Sequence, residues 1–101
     1  EPIDLSPMQI REVRSTAARF TIDPPLEIKP ELDDETKQLF QAELPEFGIS
    51  LSSRTRDGLV ADLEDNLLFA WAEYTKASLD ELTEDAVALR NVLLRRMREE
   101  A

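Results

Sequence analysis

Two residue types with distinctive chemistry are missing from this chain of 101 residues, which has no cysteine and no histidine. The lack of cysteine excludes disulfides, thiolate nucleophiles and cysteine-ligated metal sites. The lack of histidine removes the commonest general base and the commonest metal ligand. The two glycines, Gly48 and Gly58, are too far apart to form a phosphate-binding loop. We therefore expect neither an enzyme nor a cofactor.

Long apolar runs are also missing. The longest, such as Leu67 to Ala72, are far shorter than the roughly 20 residues that span a bilayer. The N-terminal run EPIDLSPMQIREVR lacks the apolar segment of a secretory signal. These absences predict a cytoplasmic protein with no membrane partner.

Acidic residues dominate the charge of the chain, with 22 Asp and Glu against 12 Lys and Arg and a net charge of −10. Such a chain repels phosphate backbones, so we expect no direct binding to nucleic acid. The negative charge instead favours solubility and steers the protein toward basic protein partners.

The segment from Phe40 to Tyr74 changes from an alternating to a helical pattern. Its first part has the period of two residues that is typical of a half-buried sheet: Phe40, Ala42, Leu44, Phe47, Ile49 and Leu51. Its second part places one apolar stripe on a helix: Leu59, Leu63, Leu67, Trp71 and Tyr74. Thr55 is the predicted cap of this helix. Gly58 in its first turn is expected to cost about 1 kcal/mol relative to alanine.

These patterns predict an α+β fold, with a small three-stranded antiparallel sheet packed by one long helix and an additional C-terminal helix. Residues 1–25 are predicted as an N-terminal arm with little periodicity, and residues 26–101 as a single domain. Within that domain the strands are expected at about 26–53, the long helix at about 56–76 and the C-terminal helix at about 79–99.

Some local alternatives stay open at this point. The arm begins either with a helical turn capped by Ser6 or with an extended segment, and Asp23-Pro24-Pro25 should end it in both cases. Residues 33–44 form either a hairpin, with its second strand from Lys37, or a helix. We favour the hairpin. The C-terminal helix has two candidate starts, at Ser78 and at Thr83. Its apolar stripe comprises Leu82, Ala86, Leu89, Leu93 and Met97.

Several polar and aromatic residues are candidates for function. The acidic run Asp33-Asp34-Glu35 has the chemistry of a hard-cation site but lacks the spacing of a calcium loop, which favours a solvated turn. Trp71 and Tyr74 are either core residues or partner-binding anchors. Arg95 belongs to a basic cluster that either compensates the helix dipole or pairs with an acidic surface.

The run ELPEFGISLSSRTRDGLVADLEDNLLFAWAEY resembles the core of the HicB-type antitoxin family. Pro45, Glu46 and Gly48 occupy the proline-acidic corner of that motif, and Thr55 occupies its helix cap. The resemblance covers roughly residues 26–76. It implies a β-β-β-α layer that binds and blocks a small basic ribonuclease toxin.

We therefore predict an antitoxin-like protein-binding module that neutralises a small basic partner. Its candidate partner-binding residues are Phe47, Ile49, Trp71, Tyr74 and Arg95. The alternative is a homo-oligomeric structural or assembly module, a homodimer that pairs through the last helix. An enzyme that uses carboxylates and a metal is less favoured, because no recognisable constellation is present.

Overall fold

The computed structural model describes residues 3–100; residues 1, 2 and 101, at the ends of the predicted arm and domain, lie outside the described residues. The strands are β1 (Met8–Arg14), β2 (Arg19–Ile28), β3 (Glu31–Leu32), β4 (Phe40–Leu44), β5 (Ile49–Ser53) and β6 (Met97–Glu100). Within residues 3–100 the α-helices are α1 (Arg56–Ala70) and α2 (Glu84–Arg96). The predicted α+β class is confirmed.

The described strands form two antiparallel sheets of three strands each, where one sheet was predicted. The terminal sheet has the order β1-β2-β6, and the central sheet has the order β3-β4-β5. The predicted first strand divides between them, because residues 26–28 end β2 and residues 31–32 form β3. Pro30 lies at this break, where its missing N–H interrupts the ladder.

The segment predicted as an N-terminal arm is instead a hairpin in its described part. β1 and β2 pair antiparallel between Met8↔Ile28 and Arg14↔Arg19. Val13, Phe20 and Ile22 from these strands are buried in the core. Their alternation is short and lies among charged residues, so it gives only a weak strand signal.

Pro24 and Pro25 lie inside β2, at the point where the end of the arm was predicted. The register with β1 shifts opposite this stretch, and residues 22–25 have no partner in β1. Proline is tolerated at such an irregularity because no backbone donor is needed there. The carbonyl oxygen of Pro24 instead accepts a hydrogen bond of 2.7 Å from Arg96.

The C-terminal helix is shorter than predicted, and the chain after Arg96 pairs as β6 with β2. Met97, expected on the helical stripe, lies in β6 opposite Ile22 and is 3% exposed. The sequence of β6 is rich in Arg and Glu, which favour helix, so tertiary pairing overrides local propensity there. Of the two predicted starts, Thr83 caps α2 by accepting a hydrogen bond from the amide of Ala86.

The hairpin interpretation of residues 33–44 is confirmed, although β4 starts only at Phe40. The carboxylate of Asp33 organises its turn. It accepts backbone hydrogen bonds from Thr36 (2.7 Å), Gln38 (3.0 Å) and Leu39 (2.9 Å). These bonds, led by that from the Thr36 amide, hold the pKa of Asp33 well below its usual range.

Replacing Asp33 with asparagine should lower the melting temperature and flatten its pH dependence. Because the pKa of Asp33 is lowered on folding, its carboxylate stabilises the fold above the unfolded pKa of about 4 and loses this effect as the pH falls. Between about pH 5 and about pH 2, the melting temperature should therefore fall more steeply with decreasing pH in the natural chain than in the variant. Asp34→Asn, in the exposed part of the same turn, is the control. An equal fall of the melting temperature with pH in Asp33→Asn and in the natural chain would contradict this expectation.

Helix α1 starts as predicted and packs on the central sheet. The hydroxyl of Thr55 accepts a hydrogen bond of 2.9 Å from the amide of Gly58. The helix ends in a π-helical turn at Trp71–Thr75, close to the predicted end. The three leucines of its predicted stripe are fully buried: Leu59, Leu63 and Leu67.

Gly58 has a packing role in addition to its low helix propensity. A Cβ atom at this position would lie 1.9 Å from the Oγ atom and 2.9 Å from the Cβ atom of Ser53 in β5. Propensity alone would make Gly58→Ala stabilising by about 1 kcal/mol. We expect the opposite sign in urea denaturation, because the helix must move away from β5. Ser53→Gly should recover part of the loss in the double variant, and a more stable single variant would refute the packing role.

Candidate partner-binding groove

A tight corner joins β4 to β5 and positions two of the candidate residues. Residues Pro45–Phe47 form a 3₁₀ turn, and Gly48 follows with a φ of 64°. This left-handed conformation favours glycine. The corner turns the Phe47 side chain into the core and leaves Ile49 half-buried at the start of β5.

An apolar groove of about 210 Å³ lies beside this corner, between β5, the C-terminal half of α1, and α2. We call it the corner groove. Three of the five predicted residues, Phe47, Ile49 and Tyr74, line it together. Sequence reasoning did not identify three other residues as part of its wall: Phe69, Leu89 and Leu93.

Phe69 is the most informative of these residues, because it lines the groove and is 64% exposed. Burial of a phenylalanine is worth about 1.5–3 kcal/mol, so this chain leaves that stabilisation unused. A single exposed apolar residue is ordinary. An exposed phenylalanine next to an apolar groove, however, is typical of an interaction site.

The groove continues into a second depression of about 340 Å³ along α2. Both share Phe47 and Leu89, and the second adds the carboxylates of Glu46 and Asp85. An apolar surface with acidic borders therefore extends from α1 across the corner to the start of α2. Such a surface suits a partner that combines apolar and basic side chains.

Trp71 lies away from the corner groove and belongs to the core, the first of its two interpretations. It is 9% exposed, and its ring centroid lies 4.9 Å from that of Phe20 in β2, with an angle of 60° between the planes. Its Nε1–H has no hydrogen-bond partner within the described residues. Trp71 thus joins the end of α1 to the terminal sheet.

Arg95 pairs inside the chain, with its Nη2 3.2 Å from Oε2 of Glu46 at the corner. The Arg95 side chain is largely exposed and that of Glu46 partly so, and an ion pair open to solvent contributes little to stability. Its neighbour Arg96, from the same basic cluster, is nearly buried and bonds the other carboxylate oxygen of Glu46. The guanidinium of Arg96 also lies 5.9 Å from the ring centroid of Phe47. Arg96 therefore anchors the corner to α2.

The part of the chain that the structure describes has no group of three or more carboxylates arranged to hold a metal ion. Asp33, from the acidic run, is engaged by its own turn. Among residues 3–100, no helix has the length and apolar character needed to cross a membrane.

Comparison with known proteins assigns no family, since no family model, curated protein or solved structure matches this chain. The resemblance to HicB-type antitoxins stays a prediction. The geometry of the groove therefore carries the functional argument.

Proposed function

We propose that this chain is an antitoxin-like protein-binding module that binds and neutralises a small basic partner through the corner groove. The observation that carries the proposal is the exposure of Phe69, at 64%, beside an apolar groove. Aromatic side chains next to pockets are frequent anchors of protein interfaces. The groove would receive an apolar side chain of the partner, and Phe69 would be covered.

Charge supports a basic partner. The chain carries a net charge of −10, and the carboxylates of Glu46 and Asp85 border the depression that continues the groove. A negative surface attracts basic proteins and raises their association rate, more strongly at low salt. An acidic protein that covers a basic RNA-binding surface would block that surface.

The HicB-type resemblance supports the same function and narrows the partner class. Of the residues that carry it, Pro45, Glu46 and Gly48 form the corner beside the groove, and Thr55 caps the opposite end of α1. By that resemblance the partner is a small ribonuclease toxin, and we propose that both act in the cytoplasm. Phe69 lies within the same run.

The test is capture from the native cell extract with the full chain as bait, at about 0.05 M and about 0.5 M salt. One small basic protein should be retained at low salt and released at high salt. Phe69→Ala should weaken its retention by about tenfold or more, as expected for an interface anchor. Leu79→Ala, which removes an exposed apolar side chain outside the groove, is the matched control. Equal retention by both variants would refute the groove as the binding site.

A homodimer through α2 is the second candidate function, favoured by the exposure of Leu94 at 45%. Leu93 and Met97, part of the stripe expected to pair in that dimer, are buried in the chain's own core. The members of that stripe left to pair would be Leu82, Ala86 and Leu89. Sedimentation equilibrium distinguishes a monomer from a dimer, because the mass of one chain is 11.5 kDa. A strict monomer at about 0.1 mM would remove this candidate.

A further inference from the structure

The strand β5 is an edge of the central sheet, because β4 lies between it and β3. Within residues 3–100, the backbone of β5 forms ladder bonds with β4 alone. An edge strand presents a row of N–H and C=O groups on its open side. Such a row is able to pair with an extended segment of another protein.

The other edge strands of the described chain carry features that discourage such pairing. β1 carries the charged residues Arg11, Glu12 and Arg14, and β6 reads Met-Arg-Glu-Glu. β3 has only two residues. Charge and short length are the usual means by which proteins protect their edges. By contrast, β5 reads Ile-Ser-Leu-Ser-Ser and has neither protection.

One face of α1 borders this edge along its length. At the end of β5, Gly58 lies against Ser53. Near the start of β5, Asn66 and Phe69 line the corner groove. Asp62 lies between these points, and the side-chain amide of Asn66 donates to its carbonyl oxygen at 2.8 Å and to its Oδ1 at 3.3 Å. Residues three or four apart share a helix face, so Asp62 lies beside the middle of the edge.

The opposite face of the sheet carries a carboxylate on β4, the strand next to this edge. Glu43 of β4 is the register partner of Ser50, and its Oε2 accepts a hydrogen bond of 3.2 Å from the Ser50 hydroxyl. Both side chains are exposed. A strand added to β5 would therefore meet Asp62 on its helix side and Glu43 on its open side.

These charges decide between two occupants. A second copy paired through β5 would bring its own Asp62 toward Asp62 of the first copy across the two-fold axis, and like charges in that position are destabilising. A segment with lysine or arginine on its open side would be attracted to Glu43. Its alternate apolar side chains would face the corner groove beside Phe69, because side chains alternate along a strand.

We propose that the free edge of β5 is a strand-pairing site for an extended segment of the partner in which basic and apolar residues alternate. This inference rests on the proposed function and specifies how the partner is held. Main-chain hydrogen bonds to β5 would supply affinity, and Glu43 and the groove would supply selectivity.

The test uses the full chain and a labelled peptide, acetyl-KVKIKVK-amide, as the probe in fluorescence anisotropy. A copy with every amide nitrogen methylated keeps the charge and loses the backbone donors, and it should bind about tenfold more weakly or worse. The peptide acetyl-EVEIEVE-amide should show no measurable binding at about 1 mM.

Two chain variants complete the test. Ser52→Lys places a positive charge on the open edge and should weaken binding of the lysine peptide by about tenfold or more. Ser78→Lys adds the same charge at an exposed site outside β5 and should change binding by less than about twofold. Circular dichroism melts of both variants check that the fold is retained.

Three outcomes would overturn the proposal. Equal binding of the methylated and unmethylated lysine peptides would show attraction by charge without strand pairing. Absence of binding by the lysine peptide at about 1 mM would remove the site. A natural chain that sediments as a dimer, and becomes a monomer with Ser52→Lys, would assign the edge to a second copy. None of these outcomes bears on the capture experiment with Phe69→Ala, so failure of this proposal and failure of the proposed function are separable.

Discussion

Replacing Trp71 with alanine is expected to lower the free energy of unfolding by about 3–5 kcal/mol, as in other large-to-small changes of buried aromatic residues. Trp71 is 9% exposed and packs against Phe20, so its removal would open a cavity where α1 meets the terminal sheet. Urea denaturation followed by circular dichroism measures this loss. Fluorescence is unsuitable, since Trp71 is the only tryptophan.

Two aromatic variants serve as controls for Trp71→Ala. Phe69→Ala removes a smaller aromatic ring two residues earlier, from an exposed position, and should change stability by less than about 0.5 kcal/mol. Trp71→Phe keeps a ring against Phe20 and removes a buried N–H that has no hydrogen-bond partner, so its cost should be well below that of alanine. Equal small losses for Trp71→Ala and Phe69→Ala would show that Trp71 is not part of the core.

Met97→Ala is expected to cost about 2–5 kcal/mol, the range for truncation of a buried methionine or leucine. Met97 is 3% exposed and stands opposite Ile22 in the pair of β6 and β2. Hydrogen exchange should also accelerate at the amides of β2 that face β6, because the pairing strand is loosened. Thermal and urea denaturation give the stability change.

Leu94→Ala is the matched control for Met97→Ala. Leu94 lies three residues earlier on α2 and is 45% exposed, so its truncation should change stability by less than about 0.5 kcal/mol. If the last segment continued α2 as a solvated helix, Met97→Ala and Leu94→Ala would have similar small effects. That result would refute the docking of β6.

The sequence predicts α1 and the corner well because their signals are local. Thr55 caps the helix, and the leucine stripe of α1 is buried as its spacing indicates. Pro45 and Gly48 mark the corner between β4 and β5. In each case the residues that determine the structure lie within a few positions of one another, so a short window contains the information.

The terminal sheet is the part that the sequence does not predict. Its strand β6 has the composition of a helix end, and it becomes a strand only because β2 is available to pair with it. The prolines in β2 indicate a strand end. The register with β1 shifts opposite them, however, so the ladder needs no backbone donor at these positions. Long-range pairing of this kind cannot be read from a local pattern.

The corner groove is predicted in part. Phe47, Ile49 and Tyr74 line it as candidate residues, but Trp71 belongs to the core and Arg95 pairs with Glu46. Phe69 was missed because exposure depends on tertiary packing. A signal was present nonetheless, since Phe69 lies about 200° around the helix from Leu67 at 100° per residue. A phenylalanine on the polar side of a helix is therefore a candidate binding residue.

The pairing of β6 with β2 also has a consequence for the order in which the chain folds. The hydrogen bond from Thr21 to Glu100 joins residues 79 positions apart. Closing so large a loop costs entropy before the contact returns any stability, which slows folding relative to a helical protein of similar length. During synthesis, β2 has a neighbour on one side only until β6 has left the ribosome. The terminal sheet should therefore be completed late in folding, and the hairpin of β1 and β2 without β6 should be the intermediate most open to aggregation or chaperone binding.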